Sequence, residues 1–206
     1  ETALHVINPL RSDYISEKLD VTGIKAIDVA CGGGLLAESL HLKGAEMTGV
    51  DISDVAIHTA TIHAEKQGLE IKYLNCEAED LLPAEKESYD LVTCLEAIEH
   101  VPDPAKLVET CSNLCKPGGT IVFSTINRNP KSFLFAIIGA EYILNLLPKG
   151  THEYKKFIKP SELSSMMRDN SLEVTEVIGM SYNPITKNYW LGKDVDVNYL
   201  IHARKK

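Results

Sequence analysis

The chain has 206 residues, of which 44% are apolar and 24% charged, an ordinary globular balance that excludes a collagen, a coiled coil or a disordered tail. That length fits a single domain spanning 1–206. Twenty-one basic against 29 acidic side chains leave a net charge of −8, which argues against nucleic acid as a partner.

Asn8-Pro9 pairs a capping residue with a proline suited to the first helical position, so a helix is expected over residues 8–19. Residues 25–30 (KAIDVA) form a short apolar run that ends in a glycine cluster and read as a buried strand. A helix over 35–43 follows, closed by Gly44, then a second strand over 46–51. Ser53 is placed to cap a helix over 53–67, with Gly68 beyond its end. Strands are expected over 70–75 and 89–96, and Asp103-Pro104 opens a further helix that stops before the turn signal Lys116-Pro117-Gly118-Gly119. The fifth strand is 120–125 (TIVFST). This alternation of strand and helix predicts an α/β fold with a parallel sheet covered on both faces. Beyond it come a dense apolar stretch over 133–147, a helix from Pro160-Ser161 to about Asn170, and two late strands, 172–178 and 197–204. A connection without a helix favours an antiparallel pair at that edge, so seven strands are expected, one of them antiparallel.

The five cysteines, Cys31, Cys76, Cys94, Cys111 and Cys115, are odd in number and form no C-x-x-C pair, so they read as free thiols packed as small apolar side chains. No apolar run reaches the ~18 residues of a membrane span. The chain starts with Glu1 rather than Met, which suggests a trimmed or processed start, and neither a secretory signal nor an Arg-rich presequence is visible.

The chemistry concentrates at two places. Asp28-Val29-Ala30-Cys31-Gly32-Gly33-Gly34 runs from strand to helix, where glycines let a ligand approach the backbone amides. Its spacing is not the G-x-G-x-x-G dinucleotide fingerprint, which argues against a nicotinamide dehydrogenase. Asp51 ends the next strand, where a carboxylate accepts hydrogen bonds from both hydroxyls of a ribose. Together these point to an adenosine-type ligand. The second place is Leu95-Glu96-Ala97-Ile98-Glu99-His100-Val101. If this segment turns as a helix, Glu96, Glu99 and His100 share a face and either hold a divalent metal or simply close the cofactor cleft.

The first motif resembles that of the class I S-adenosylmethionine-dependent methyltransferases: Gly32 and Gly34 match, and Ala30 replaces the first glycine. Asn8-Pro9-Leu10-Arg11, Lys149-Gly150-Thr151-His152, Lys156-Phe157-Ile158-Lys159-Pro160, Tyr182-Asn183-Pro184 and Val197-Asn198-Tyr199 resemble the ubiquinone-biosynthesis O-methyltransferase family from Asn8 to Tyr199. The family's usual segment ahead of Asn8 is expected to be mostly missing. The resemblance implies a Rossmann-like class I methyltransferase fold and methylation of polyprenylated catechols at both O-methylation steps of the pathway. It implies S-adenosylmethionine contacts at Arg11, Ala30, Gly32, Gly34, Asp51 and Leu95, and a divalent metal, Mg²⁺, at Glu96, Glu99 and His100. His100 is either a ligand or the general base, and His152 is a weaker base candidate. Two rivals are a C-methyltransferase of another isoprenoid quinone, and a non-catalytic cofactor-binding subunit, which Ala30 alone favours.

Residues 133–147 (FLFAIIGAEYILNLL) are too short to span a bilayer. They read either as a buried helix or as a lid, within an insertion at about 131–159, that touches the membrane surface. With the resemblance, this places the protein at the cytoplasmic face of a bacterial inner membrane or the matrix side of the mitochondrial one, with other ubiquinone-biosynthesis proteins as further partners.

Overall fold

The computed structural model describes residues 3–129, 132, 156–183, 186 and 188–206. The apolar stretch 133–147, most of the expected insertion, and His152 lie outside the described residues. The elements in order are helix α1 (Ala3–Lys18), strand β1 (Lys25–Val29), α2 (Leu35–Leu42), β2 (Glu46–Asp51), α3 (Asp54–Gln67) and β3 (Lys72–Asn75). After a 3-10 turn at Ala78–Leu81 come α4 (Leu82–Glu85), β4 (Tyr89–Leu95), α5 (Pro104–Leu114), β5 (Cys115–Ile126) and α6 (Pro160–Asp169). Strands β6 (Leu172–Asn183), β7 (Asn188–Gly192) and β8 (Asn198–Lys205) complete them.

The strands form one mixed sheet of order β3-β2-β1-β4-β5-β8-β6-β7. It has eight strands where the sequence reading expected seven, because Asn188–Gly192 pairs with the far half of β6. β3, β2, β1, β4 and β5 are parallel neighbours. β8 runs antiparallel to both β5 and β6, as expected of the late pair. The strand order reverses between β1 and β4, and the crevice outside the carboxyl ends of such a pair is where α/β sheets bind ligands.

Both faces of the sheet are buried, and adjacent residues feed opposite cores. Ile27, Val92, Ile121, Phe123, Tyr199 and Ile201 join α5 and α6 through Val108, Cys111, Leu163 and Met167. Ala26, Leu91, Val122 and Leu200 join α1 and α2 through Tyr14, Ile15, Leu36 and Leu40. This is the period-two pattern of a strand covered on each side. All five cysteines are free, and Cys94, Cys111 and Cys115 are buried, as small core residues should be.

Three local expectations shift. Asn8 does not cap a helix, because α1 already runs from Ala3 and carries Pro9 inside it. The Asn8 amide instead donates to Leu35 O at 2.9 Å and Ser39 Oγ at 2.8 Å, tying α1 to α2. Residues 116–119 do not separate helix from strand; they bulge within β5, between the pairs Tyr89–Cys115 and Leu91–Thr120. The segment after β4 is a turn, not a helix, because Glu96 has a φ of 55°. Among the described residues no helix is long and apolar enough to cross a membrane.

Candidate active site

The loop after β1 is held from the neighbouring strand. Asp51, at the end of β2, accepts Gly32 N–H at 2.9 Å through Oδ2 and Ser53 N–H at 2.8 Å through Oδ1. A carboxylate has about four acceptor positions, so two remain for the hydroxyls of a ribose. A side chain at Gly32 or Gly33 would meet no atom within 4 Å, so that side of the loop is open to a ligand. Gly34 is closed: a Cβ there would lie 2.3 Å from the Tyr73 hydroxyl. Ala30 is exposed and sits at a φ of 57°. The left-handed backbone that a glycine would adopt freely is thus kept with a methyl group in place, at a steric cost of roughly 1–2 kcal/mol.

Beneath the loop, Asp28 is buried and accepts from Thr93 Oγ1 at 2.7 Å. Burial pushes its carboxyl up to about 7, against the Thr93 hydrogen bond and the Arg11 charge, which hold it down. Arg11, from α1, reaches across this floor to form an ion pair with Glu96. Ser124 Oγ, from β5, and Asn198 Nδ2, from β8, donate to the same Glu96 oxygen, each at 2.9 Å. Glu99 is buried, accepts from Thr125 Oγ1 at 2.8 Å, and is pushed up to about 8 by burial and by the neighbouring Glu96 charge. Three buried polar atoms here make no hydrogen bond: Arg11 Nε, Glu99 Oε1 and Asn198 Oδ1. Unsatisfied groups gathered in one crevice are characteristic of a binding site.

Residues 27–123 match a methyltransferase domain family. Over 203 residues the chain is 57% identical to the ubiquinone biosynthesis O-methyltransferase of Marinobacter nauticus, covering 98% of this chain and 85% of that protein. The protein of the same name from Nitrosospira multiformis is 55% identical over 201 residues, covering 98% and 84%. This chain belongs to the ubiquinone biosynthesis O-methyltransferase family. It is a methyltransferase that depends on S-adenosylmethionine. The fold is shared with magnesium protoporphyrin IX methyltransferase from Synechocystis PCC 6803, solved with S-adenosylhomocysteine, at a TM-score of 0.72 and 17% identity over 97% of this chain and 82% of that one.

The structure brings Arg11, Ala30, Gly32, Gly34, Asp51 and Leu95, expected at the cofactor, and Glu96 and Glu99, expected at a metal, to the carboxyl ends of β1, β2 and β4. Leu95 is half-buried as the last residue of β4. Arg11 differs in its partner, since its guanidinium is engaged by Glu96. The shared helical face of Glu96, Glu99 and His100 does not form, because the left-handed Glu96 turns the chain and His100 is exposed. Among the described residues no three His, Cys, Asp or Glu are gathered as a metal site. Ser124, Thr125 and Asn198 went unassigned in the sequence; the only signal for them was Asn198 within the family block Val197-Asn198-Tyr199.

Two measurements check this geometry. Ala30→Gly should raise stability by up to about 1 kcal/mol, because relief of the left-handed strain outweighs the entropy glycine adds to the unfolded chain; thermal melting reads it, and a lowered melting temperature contradicts the assignment. Glu99 is raised from an ordinary 4.5 to about 8, so its ionisation opposes folding. The stability it permits is complete below pH ~4.5 and is lost as pH rises through ~8. In chelator-treated protein, Glu99→Gln should flatten the decline in melting temperature across that window, whereas an unchanged profile contradicts it.

Proposed function

We propose that this protein transfers a methyl group to a ring hydroxyl of polyprenylated catechols at both O-methylation steps of ubiquinone biosynthesis. The observation that carries this reading is the pair of acidic side chains, Glu96 and Glu99, set at the end of β4 across the crevice from the glycine loop and Asp51. The relatives' shared name supplies the pathway and the phenolic substrate.

When bound, S-adenosylmethionine supplies a methyl group on a positively charged sulfonium. Asp51 fixes the ribose, the open face of Gly32 and Gly33 admits the cofactor close to the backbone, and Arg11 takes the carboxylate. These contacts aim the methyl group at the crevice between β1 and β4, where alignment with the attacking oxygen sets the rate.

A phenol with a pKa near ~10 is largely protonated at neutral pH. Glu96 and Glu99 would hold the divalent cation, Mg²⁺, that the family resemblance implies, although among the described residues no third His, Cys, Asp or Glu is gathered with them. The donor chemistry fits: Glu99 Oε1 is a buried acceptor with no hydrogen bond, and hard cations take carboxylate oxygens. When bound, such a cation favours the ionised form of a coordinated hydroxyl. If His100 is not a ligand, its exposed imidazole is the base that takes the hydroxyl proton.

The apolar stretch 133–147 is proposed to contact the bilayer surface, where a polyprenyl tail resides, at the inner membrane of a bacterium or mitochondrion. Its support is the sequence: a predominantly apolar run of sub-spanning length, broken only by Glu141 and Asn145, in an otherwise acidic protein.

Labelled methyl transfer from S-adenosylmethionine to a short-chain prenyl catechol should proceed with Mg²⁺ and fall at least tenfold with a chelator, by the usual weight of metal assistance. Transfer that survives chelation but is lost in His100→Ala would return the proton to His100. Phe135→Glu should abolish co-sedimentation with liposomes while leaving cofactor affinity intact; unchanged co-sedimentation refutes the membrane contact.

A further inference from the structure

Arg11 is the only Lys or Arg buried among the described residues. It lies at the floor of the crevice, close enough to Asp28 and Glu99 to lower the pKa of both. A guanidinium cannot shed its proton, so it must be matched by an anion wherever it is buried. The match is Glu96, whose side chain is 24% exposed against 8% for Arg11. Any ligand that brings a carboxylate to this floor therefore meets a guanidinium already committed to a protein carboxylate.

The partners of Glu96 make that commitment exchangeable. Its Oε1 accepts from Arg11, Ser124 and Asn198, while its backbone N–H donates to Ser124 O at 3.0 Å and Ser124 Oγ at 3.2 Å. If Arg11 turns away, two neutral donors from β5 and β8 still hold the carboxylate. The Glu96 backbone is pinned to Ser124 in its left-handed conformation, so the side chain need not follow. Arg11 also retains a spare buried donor in Nε, which the second oxygen of an incoming carboxylate can use as a bidentate partner.

We propose that Arg11 is a carboxylate-exchange latch: Glu96 and the cofactor's amino-acid carboxylate compete for its guanidinium, and capture by the cofactor releases Glu96 to the substrate side. The inference rests on the cofactor reading above and adds a sign to it. Glu96 weakens cofactor binding, although it lines the cofactor's own site. Because coupling is reciprocal, a cation drawn to Glu96 tightens the cofactor by the same factor as the cofactor tightens the cation. This orders the site so that Glu96 becomes available for substrate chemistry only after the methyl donor is seated.

The test compares S-adenosylhomocysteine with 5′-methylthioadenosine, an adenosine thioether that lacks the amino-acid carboxylate. Calorimetric titrations are made in chelator at one pH. Glu96→Gln keeps the shape and hydrogen bonds but loses the charge. It should tighten S-adenosylhomocysteine by roughly two- to fivefold, the scale of a solvent-accessible ion pair, and leave 5′-methylthioadenosine unchanged. Ser124→Ala removes one of the donors that hold Glu96 once Arg11 has left. It should weaken S-adenosylhomocysteine severalfold and again spare the truncated ligand, which keeps the test open if Glu96→Gln fails to fold. Equal or weaker binding of S-adenosylhomocysteine to Glu96→Gln, or equal effects of Ser124→Ala on both ligands, overturns the latch and makes Glu96 a supporting residue. Failure of the wild-type protein to bind either ligand would instead sink the cofactor reading itself.

Discussion

A permanently charged guanidinium under the glycine loop obliges the fold to surround it with acceptors, and much of the site's architecture follows from that one burial. Arg11 comes from the first helix, its partner Glu96 from the end of β4, and the donors that steady Glu96 from β5 and β8. Three elements, α1, β5 and β8, are thereby fixed to one oxygen atom at the end of a fourth. Replacing the ion pair with apolar residues of similar size would satisfy the core equally well. The pair lies in a crevice that also holds three buried polar atoms without a hydrogen bond.

The same crevice carries two acids whose ionisation is opposed by burial, Asp28 and Glu99. They lie at the ends of the two strands between which the sheet order reverses. Asp51, half-exposed and with its carboxylate held by the backbone amides of Gly32 and Ser53, can accept new hydrogen bonds without giving up its hold on the loop. The glycine loop and Asp51 are thus joined by short-range contacts within consecutive β-α-β units, and Glu96 is held by contacts across the sheet.

That division explains what could be read in the sequence. Ser53 and Asp103 cap their helices as their residue types suggest, because the bonds are local: Ser53 Oγ accepts from Ala56 N–H and Asp103 Oδ1 from Lys106 N–H. The glycine loop and Asp51 were legible for the same reason, as neighbours in one crossover unit. Asn8-Pro9 misled because a tertiary demand, the anchoring of α2, took the side chain that would have capped. The helical face drawn through Glu96, Glu99 and His100 assumed a right-handed backbone, and residue type alone gives no warning that Glu96 adopts a positive φ. Asn198 lies 102 residues from Glu96 in sequence and meets it only because β8 enters the sheet beside β5. No periodicity encodes that meeting. β7 escaped notice because its five residues are half-exposed at the sheet's edge and lack the apolar density of the inner strands.

The position of β8 also constrains how the molecule is made. It is synthesised after β6 and β7 yet lies between β5 and β6. Until it emerges, β5 presents an unpaired edge, and the hairpin of β6 and β7 has no sheet to join. The nascent chain therefore holds a half-sheet with an open flank, the kind of edge on which strands of other chains pair, while the pairing that closes it waits on distant segments. Insertion of β8 closes the flank and delivers Asn198 to Glu96 in one event, so a ribosome-bound intermediate lacking this strand would be both exposed to aggregation and devoid of a finished crevice.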